Sequence, residues 1–121
     1  MADGLIATEA NTLLSTLLAT FPWIQLHTGL PGAAGTSNVA TNSTRVQATW
    51  NSPSGGAGTN SNDLVWSSVP ADEDYTHFTA WTASTAGSCG FSGIVTAPAV
   101  VTTDTFKILA GSLSVSFTLA S

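Results

Sequence analysis

The chain has 121 residues, a single-domain length whose folded surface of roughly 6,100 Å², against roughly 17,800 Å² unfolded, allows one real core without metal or disulfide staples. Only 7% of residues are charged, against about 25% in an ordinary soluble domain, and the net charge is -5 with two basic residues, Arg45 and Lys107. Such a chain cannot build a cationic patch for nucleic acid or an anionic membrane, and 43% hydrophobic content with four Trp and five Phe argues against disorder.

The first readable element is a helix over about residues 9–21. Ala10, Leu13, Leu14, Leu17, Leu18 and Phe21 form an apolar stripe at helical spacing, Thr8 is the expected N-cap, Glu9 complements the dipole and Pro22 forces the exit. The opposite face carries Asn11, Thr12, Ser15 and Ala19 with no charge, and is a candidate subunit-contact face. Asp3 and Glu9, with no Lys or Arg nearby, do not read as a signal peptide. Ser15, Thr16, Thr20 and Pro22 interrupt the most apolar stretch, so no membrane insertion is expected.

After Pro22 the period changes to 2 and strands are expected at 23–28, 45–50, 64–69, 75–82 and 91–96. Breaker-rich segments at 29–35 and 51–62 separate the first three, the second being the most mobile on composition. A single cysteine, Cys89, sits in a Gly- and Ser-rich turn and permits no internal disulfide, consistent with folding in a cytoplasm. Residues 105–109 and 113–119 read as a closing hairpin, in which Leu113, Val115, Phe117 and Leu119 alternate with Ser112, Ser114, Ser116 and Thr118. The expected fold is mostly β: one domain over 1–121, an antiparallel β-sandwich of about seven strands over 23–119 with one N-terminal α-helix.

Candidate chemistry is sparse. His27, His77 and the acidic run Asp72-Glu73-Asp74 lack the spacing of a metal site, and the acids read as solvated. Ser92 in Gly90-Phe91-Ser92-Gly93 is one residue short of a nucleophile elbow, and 54–58 has no Lys or following helix to hold phosphate. No catalytic residue, metal or cofactor is therefore expected. The aromatic content is the remaining signal: Trp23, Gln25 and His27 share one face of the first strand, and Tyr75, His77, Thr79 and Trp81 one face of the fourth. These stripes read either as core or subunit interface, or as a stacking platform for a host-surface glycan.

Three separated motifs carry a resemblance. Residues 26–38 (LHTGLPGAAGTSN), Thr76-His77-Phe78-Thr79-Ala80-Trp81, and Asp104-Thr105-Phe106 with Gly111-Ser112-Leu113-Ser114-Val115 are similar, in order, to the small tail-fibre-like or minor tail proteins of tailed bacteriophages, especially those infecting actinobacteria. Leu30 and the 83–90 turn depart from that pattern, which touches loops rather than fold. The resemblance implies a non-enzymatic virion protein on the particle exterior, folded in the host cytoplasm and placed on the tail or as a capsid decoration. Its expected partners are copies of itself, a trimer among the candidate states, and other virion proteins of the tail or major capsid. A carbohydrate-binding module is the competing class. The shortage of charge suits repeated close packing, because burying a paired hydroxyl costs far less than burying an unpaired charge.

Overall fold

A computed structural model describes residues 6–95 and 101–116. It is mostly strand, in antiparallel sheets, with one N-terminal helix, as the periodicity implies. Helix α1 spans Ala7–Thr20. It begins two residues earlier than expected: Ile6, in extended conformation, occupies the cap position without a side-chain bond, and Thr8 lies inside the first turn, where its carbonyl accepts the Thr12 hydroxyl. The Phe21 N–H to Leu17 O bond closes the last turn, and Pro22 supplies no further donor. Ala10, Leu14 and Leu18 are buried, one line of the expected stripe, whereas Leu13 remains 50% exposed.

Among the described residues eight strands follow: β1 Trp23–His27, β2 Val46–Gln47, β3 Ala57–Thr59, β4 Leu64–Trp66, β5 His77–Trp81, β6 Cys89–Ile94, β7 Phe106–Ile108 and β8 Ser114–Ser116. The largest sheet has the order β2-β1-β5-β6; β3 pairs with β8, and β4 with β7. Ile24 and Leu26 of β1 and Phe78 and Ala80 of β5 enter one hydrophobic cluster with Leu64, Trp66, Phe106 and Ile108 of the β4–β7 pair. Tyr75 and Trp66 meet Phe106 in it at ring separations of 4.8 and 5.7 Å. Helix α1 packs on β3, where Leu18 lies so close over Gly58 that a Cβ there would stand 2.6 Å from its Cδ1.

Two expectations need correction. The 105–109 and 113–119 segments do not pair with each other: β7 joins β4 and β8 joins β3, so the turn between them links two sheets. Phe117 and Leu119 lie outside the described residues. The 51–62 segment, read as a mobile loop, contains β3 and folds back on itself: Ser54 and Ala57 exchange both backbone bonds across Gly55-Gly56, and Trp50 bridges Asn60. The Gly-Gly pair marked a tight turn, but its small and polar flanks hid the strand.

Asn60 ties these pieces together. It is fully buried, its Nδ2 donates to the carbonyls of Asn62 (2.8 Å) and Leu109 (3.1 Å), and its Oδ1 accepts the Leu113 N–H (2.9 Å). Its own backbone accepts from Gly111 and donates to Leu113, so one carboxamide fixes the connection between β7 and β8 to the end of β3. Removing it strands the buried Leu113 N–H, at a desolvation cost of about 1 to 3 kcal/mol, and unpairs two partly buried carbonyls. Asn60→Ala is expected to lower stability by roughly 2 to 5 kcal/mol, seen as a melting temperature reduced by roughly 10 °C or more. A shift of a degree or two would show that the carboxamide is dispensable.

Candidate functional site

The two aromatic stripes fall side by side. Register pairs Trp23 with Trp81, Gln25 with Thr79 and His27 with His77, so both lie on the face of the β1–β5 pair opposite the hydrophobic cluster. That face is covered by the chain's own 28–45 segment. Residues 38–40 of the segment pair along the edge of β1, where Thr28 and Ala40 donate to the Asn38 and Leu26 carbonyls and Val39 bridges His27, and the preceding turn folds over the face. Gly35, at φ +72, approaches so closely that a Cβ would lie 2.5 Å from Cys89 Sγ and 3.4 Å from Thr79 Cγ2. Arg45 closes the far end: its guanidinium carbon sits 4.1 Å from the Trp81 ring centre, and Nη1 donates to the carbonyls of Ala83 (2.9 Å) and Ala86 (2.7 Å).

Beneath this cover the polar side chains satisfy one another. His27 is fully buried, with Nδ1 2.9 Å from the Ser37 carbonyl and Nε2 2.8 Å from Thr79 Oγ1. A carbonyl only accepts, so Nδ1 carries the proton and Nε2 accepts from the Thr79 hydroxyl. Thr79 Oγ1 in turn accepts the Trp81 indole N–H at 2.6 Å. Burial pushes the His27 pKa below 6.5 and nearby His77 adds to that, against the opposing pull of the carbonyl contacts.

The expected site residues thus separate. Trp81 is 8% exposed beneath Arg45, with no free ring face of the kind a sugar platform needs. His77 is half-buried, its Nδ1 2.8 Å from Thr76 Oγ1, and Trp23 is half-buried on the same face. Tyr75 does not continue the stripe. It precedes β5, where the chain no longer alternates as a strand, and its ring is buried against Phe106. Of the three acids Asp74 is exposed to solvent, as expected, whereas Asp72 accepts the Thr102 N–H and hydroxyl and Glu73 accepts the backbone N–H groups of Thr41 and Asn42. Burial pushes the Glu73 carboxyl up, but those donors outweigh it and leave its pKa below 4.5. Among the described residues, no group of three or more His, Cys, Asp or Glu is placed to hold a metal ion.

The open surfaces lie around α1. Asn11 is spent within the chain, its Oδ1 accepting the Gly56 N–H at 2.9 Å, and the Thr12 hydroxyl bonds back to Thr8. Ser15 and Ala19 border a groove of about 350 Å³ whose other wall is the 49–53 segment with Trp50. On the other flank Leu13, Leu17 and Phe21, with Thr16 and Thr20, line an apolar groove of about 340 Å³. Spacing alone does not separate this flank from the buried line of Ala10, Leu14 and Leu18, because all six apolar residues read as one continuous stripe. A clue was available: six apolar positions on one helix exceed what a short strand can cover.

A β-rich domain whose surface helix is partly apolar on its outer flank and carries a single charge, Glu9, fits a structural component of an assembly. The family model described as Podophage GP4 fiber I protein gp80 matches residues 6–116, and the chain belongs to that family. It is a phage tail-fibre-like protein; the family's description does not narrow the source to actinobacterial phages. No curated protein matches the chain.

The buried neutral histidine sets a pH dependence. Between 6.5 and the lower pKa of folded His27 the unfolded chain binds more protons, so stability falls as pH drops through that window, by at most about 1.4 kcal/mol per unit. Urea unfolding at pH 7.5 and 5.5 is expected to show this loss in the wild type and a smaller one in His27→Gln. Equal slopes in the two proteins would count against a neutral His27.

Proposed function

We propose that this chain is a non-enzymatic, single-domain structural subunit on the exterior of a phage particle, a tail-fibre or minor tail component that assembles with copies of itself. The observation that carries the proposal is the outer flank of α1: Leu13 is 50% exposed and Ile6 63%, beside the groove that Leu17 and Phe21 complete. An apolar flank of this kind on a fibre-family chain suits a subunit contact. The only charged side chain on the helix is Glu9, so copies can approach without desolvating ion pairs. The family's fibre description favours the tail over a capsid-decorating role, and other tail proteins are the expected neighbours. A closed cyclic assembly, a trimer being the natural choice for a fibre, would repeat the same contact around an axis.

Size-exclusion chromatography with light scattering tests the proposal across a concentration series. An oligomer is expected, and Leu13→Glu should weaken it at least about tenfold, which corresponds to about 1.4 kcal/mol, while the half-exposed position leaves the fold intact. A wild-type protein that stays monomeric at the highest concentration would refute self-assembly. An oligomer indifferent to Leu13→Glu would move the contact elsewhere.

A further inference from the structure

We infer that the outer edge of β6 is a second contact between copies of this chain, in which residues 92–94 of two subunits pair antiparallel about a two-fold axis. The inference rests on the self-assembly proposed above and adds a contact to it. In the order β2-β1-β5-β6, β2 and β6 are the edges of the largest sheet. The β2 edge is closed by the chain itself: Asn62 Nδ2 donates to the Gln47 carbonyl (3.2 Å) and its Oδ1 accepts the Thr49 N–H (2.9 Å). On β6 no described residue pairs with the outer side. The Val95 N–H bonds the Thr76 carbonyl at 2.8 Å, so in this antiparallel ladder Phe78–Gly93 and Ala80–Phe91 are the other hydrogen-bonded pairs. The N–H and C=O groups of Ser92 and Ile94 therefore point away from β5, and both residues are exposed.

Edge strands are ordinarily guarded by Lys, by Pro or by a bulge. Here no Asp, Glu, Lys or Arg occurs between Asp74 and Asp104, and the irregular pairing opposite Ala80 and Trp81 gives way to a regular ladder from Phe91 onward. Ile94, on this edge, is 75% exposed, the most exposed large apolar side chain among the described residues. The absence of charge favours a second copy as the occupant, because two chains of net charge -5 meet here without opposed carboxylates. The register is self-complementary. With Gly93 facing the partner's Gly93 across the axis, Ser92 lies opposite the partner's Ile94, and each such pair exchanges both N–H···O bonds. Gly93 has no side chain to obstruct the approach, and the place of its missing Cβ is taken by the Phe78 ring, whose Cε1 lies 2.5 Å from it. The edge is also continuous with the α1 flank: Gly90 lies against the Phe21 ring, which meets Phe91 edge-on at 6.5 Å and lines the apolar groove. Being isologous, the contact joins subunits in pairs and is separate from one that repeats around a ring axis.

Hydrogen exchange followed by NMR, on the intact chain at low and high concentration, reads the contact at single amides. The Ser92 and Ile94 N–H groups are expected to exchange at least about tenfold more slowly in the concentrated sample, while those of Phe91 and Gly93, which face β5, are protected in both. Ile94→Lys, at an exposed position on the edge, should abolish that concentration dependence and weaken association at least about tenfold, with the melting temperature of the dilute protein unchanged. An oligomer whose Ser92 and Ile94 amides exchange at the dilute rate, or one indifferent to Ile94→Lys, overturns the β6 contact and leaves self-assembly through α1 standing. Protection already present in the dilute monomer also overturns it, since the edge is then covered within one chain. A chain that stays monomeric at every concentration overturns the self-assembly reading together with this contact.

Discussion

The fold depends on burying the second face of the β1–β5 pair over a line of neutral polar side chains, with the Arg45 guanidinium closing one end. An antiparallel pair ordinarily keeps one face wet. Here Ile24, Leu26, Phe78 and Ala80 occupy one buried face, and Gln25, His27 and Thr79 on the other are buried as well. Buried polar groups must be paired, and the line from the Ser37 carbonyl through His27 and Thr79 to Trp81 achieves this with neutral groups alone. The 28–45 segment, though much of it faces solvent, is thereby tied into the fold through its buried residues Pro31, Gly35, Ala40 and Asn42. Arg45, one of only two basic residues, is committed to holding it down.

The scarcity of charge acquires a second meaning from the same geometry. Of the seven acids, Asp63, Asp72, Glu73 and Asp104 each accept a backbone N–H from a loop: Ala110, Thr102, Thr41 and Val101 respectively. The few charges therefore organise irregular backbone, where a carboxylate accepting an N–H is stronger than a neutral acceptor. Much of the remaining surface is Ser, Thr and exposed apolar side chains such as Leu13, Leu30 and Ile94. A surface of this kind tolerates a close neighbour at low desolvation cost, in keeping with membership of a fibre family.

Elements with a strong period were legible from sequence. The α1 stripe, the β1 and β5 strands and the mostly β class follow from apolar spacing alone, because burial on one face imposes that spacing. What escaped detection was set by partners distant along the chain. Asn60 looks like any loop polar residue until Leu109 and Leu113 come to it, and Tyr75 shares the parity of His77 yet turns into the core because the strand has not begun. Strand parity places Trp23, Gln25 and His27 on one side of β1 and His77, Thr79 and Trp81 on one side of β5, but it does not show that the two sides are the same face, and nothing in residues 28–45 announces that they would cover it. The Trp50 groove was invisible for the same reason: its two walls are a helix face and a segment some thirty residues further on.

Whether that cover is integral to the protein decides which surfaces are free to meet a partner or a ligand. The most direct test is the tautomer of His27, read from its imidazole nitrogens by NMR at neutral pH. A closed face predicts the proton on Nδ1 and a bare, hydrogen-bond-accepting Nε2, with the ring still neutral below pH 6.5. A ring protonated on Nε2, or one titrating like a histidine in water, would mean that the 28–45 segment does not seal this face.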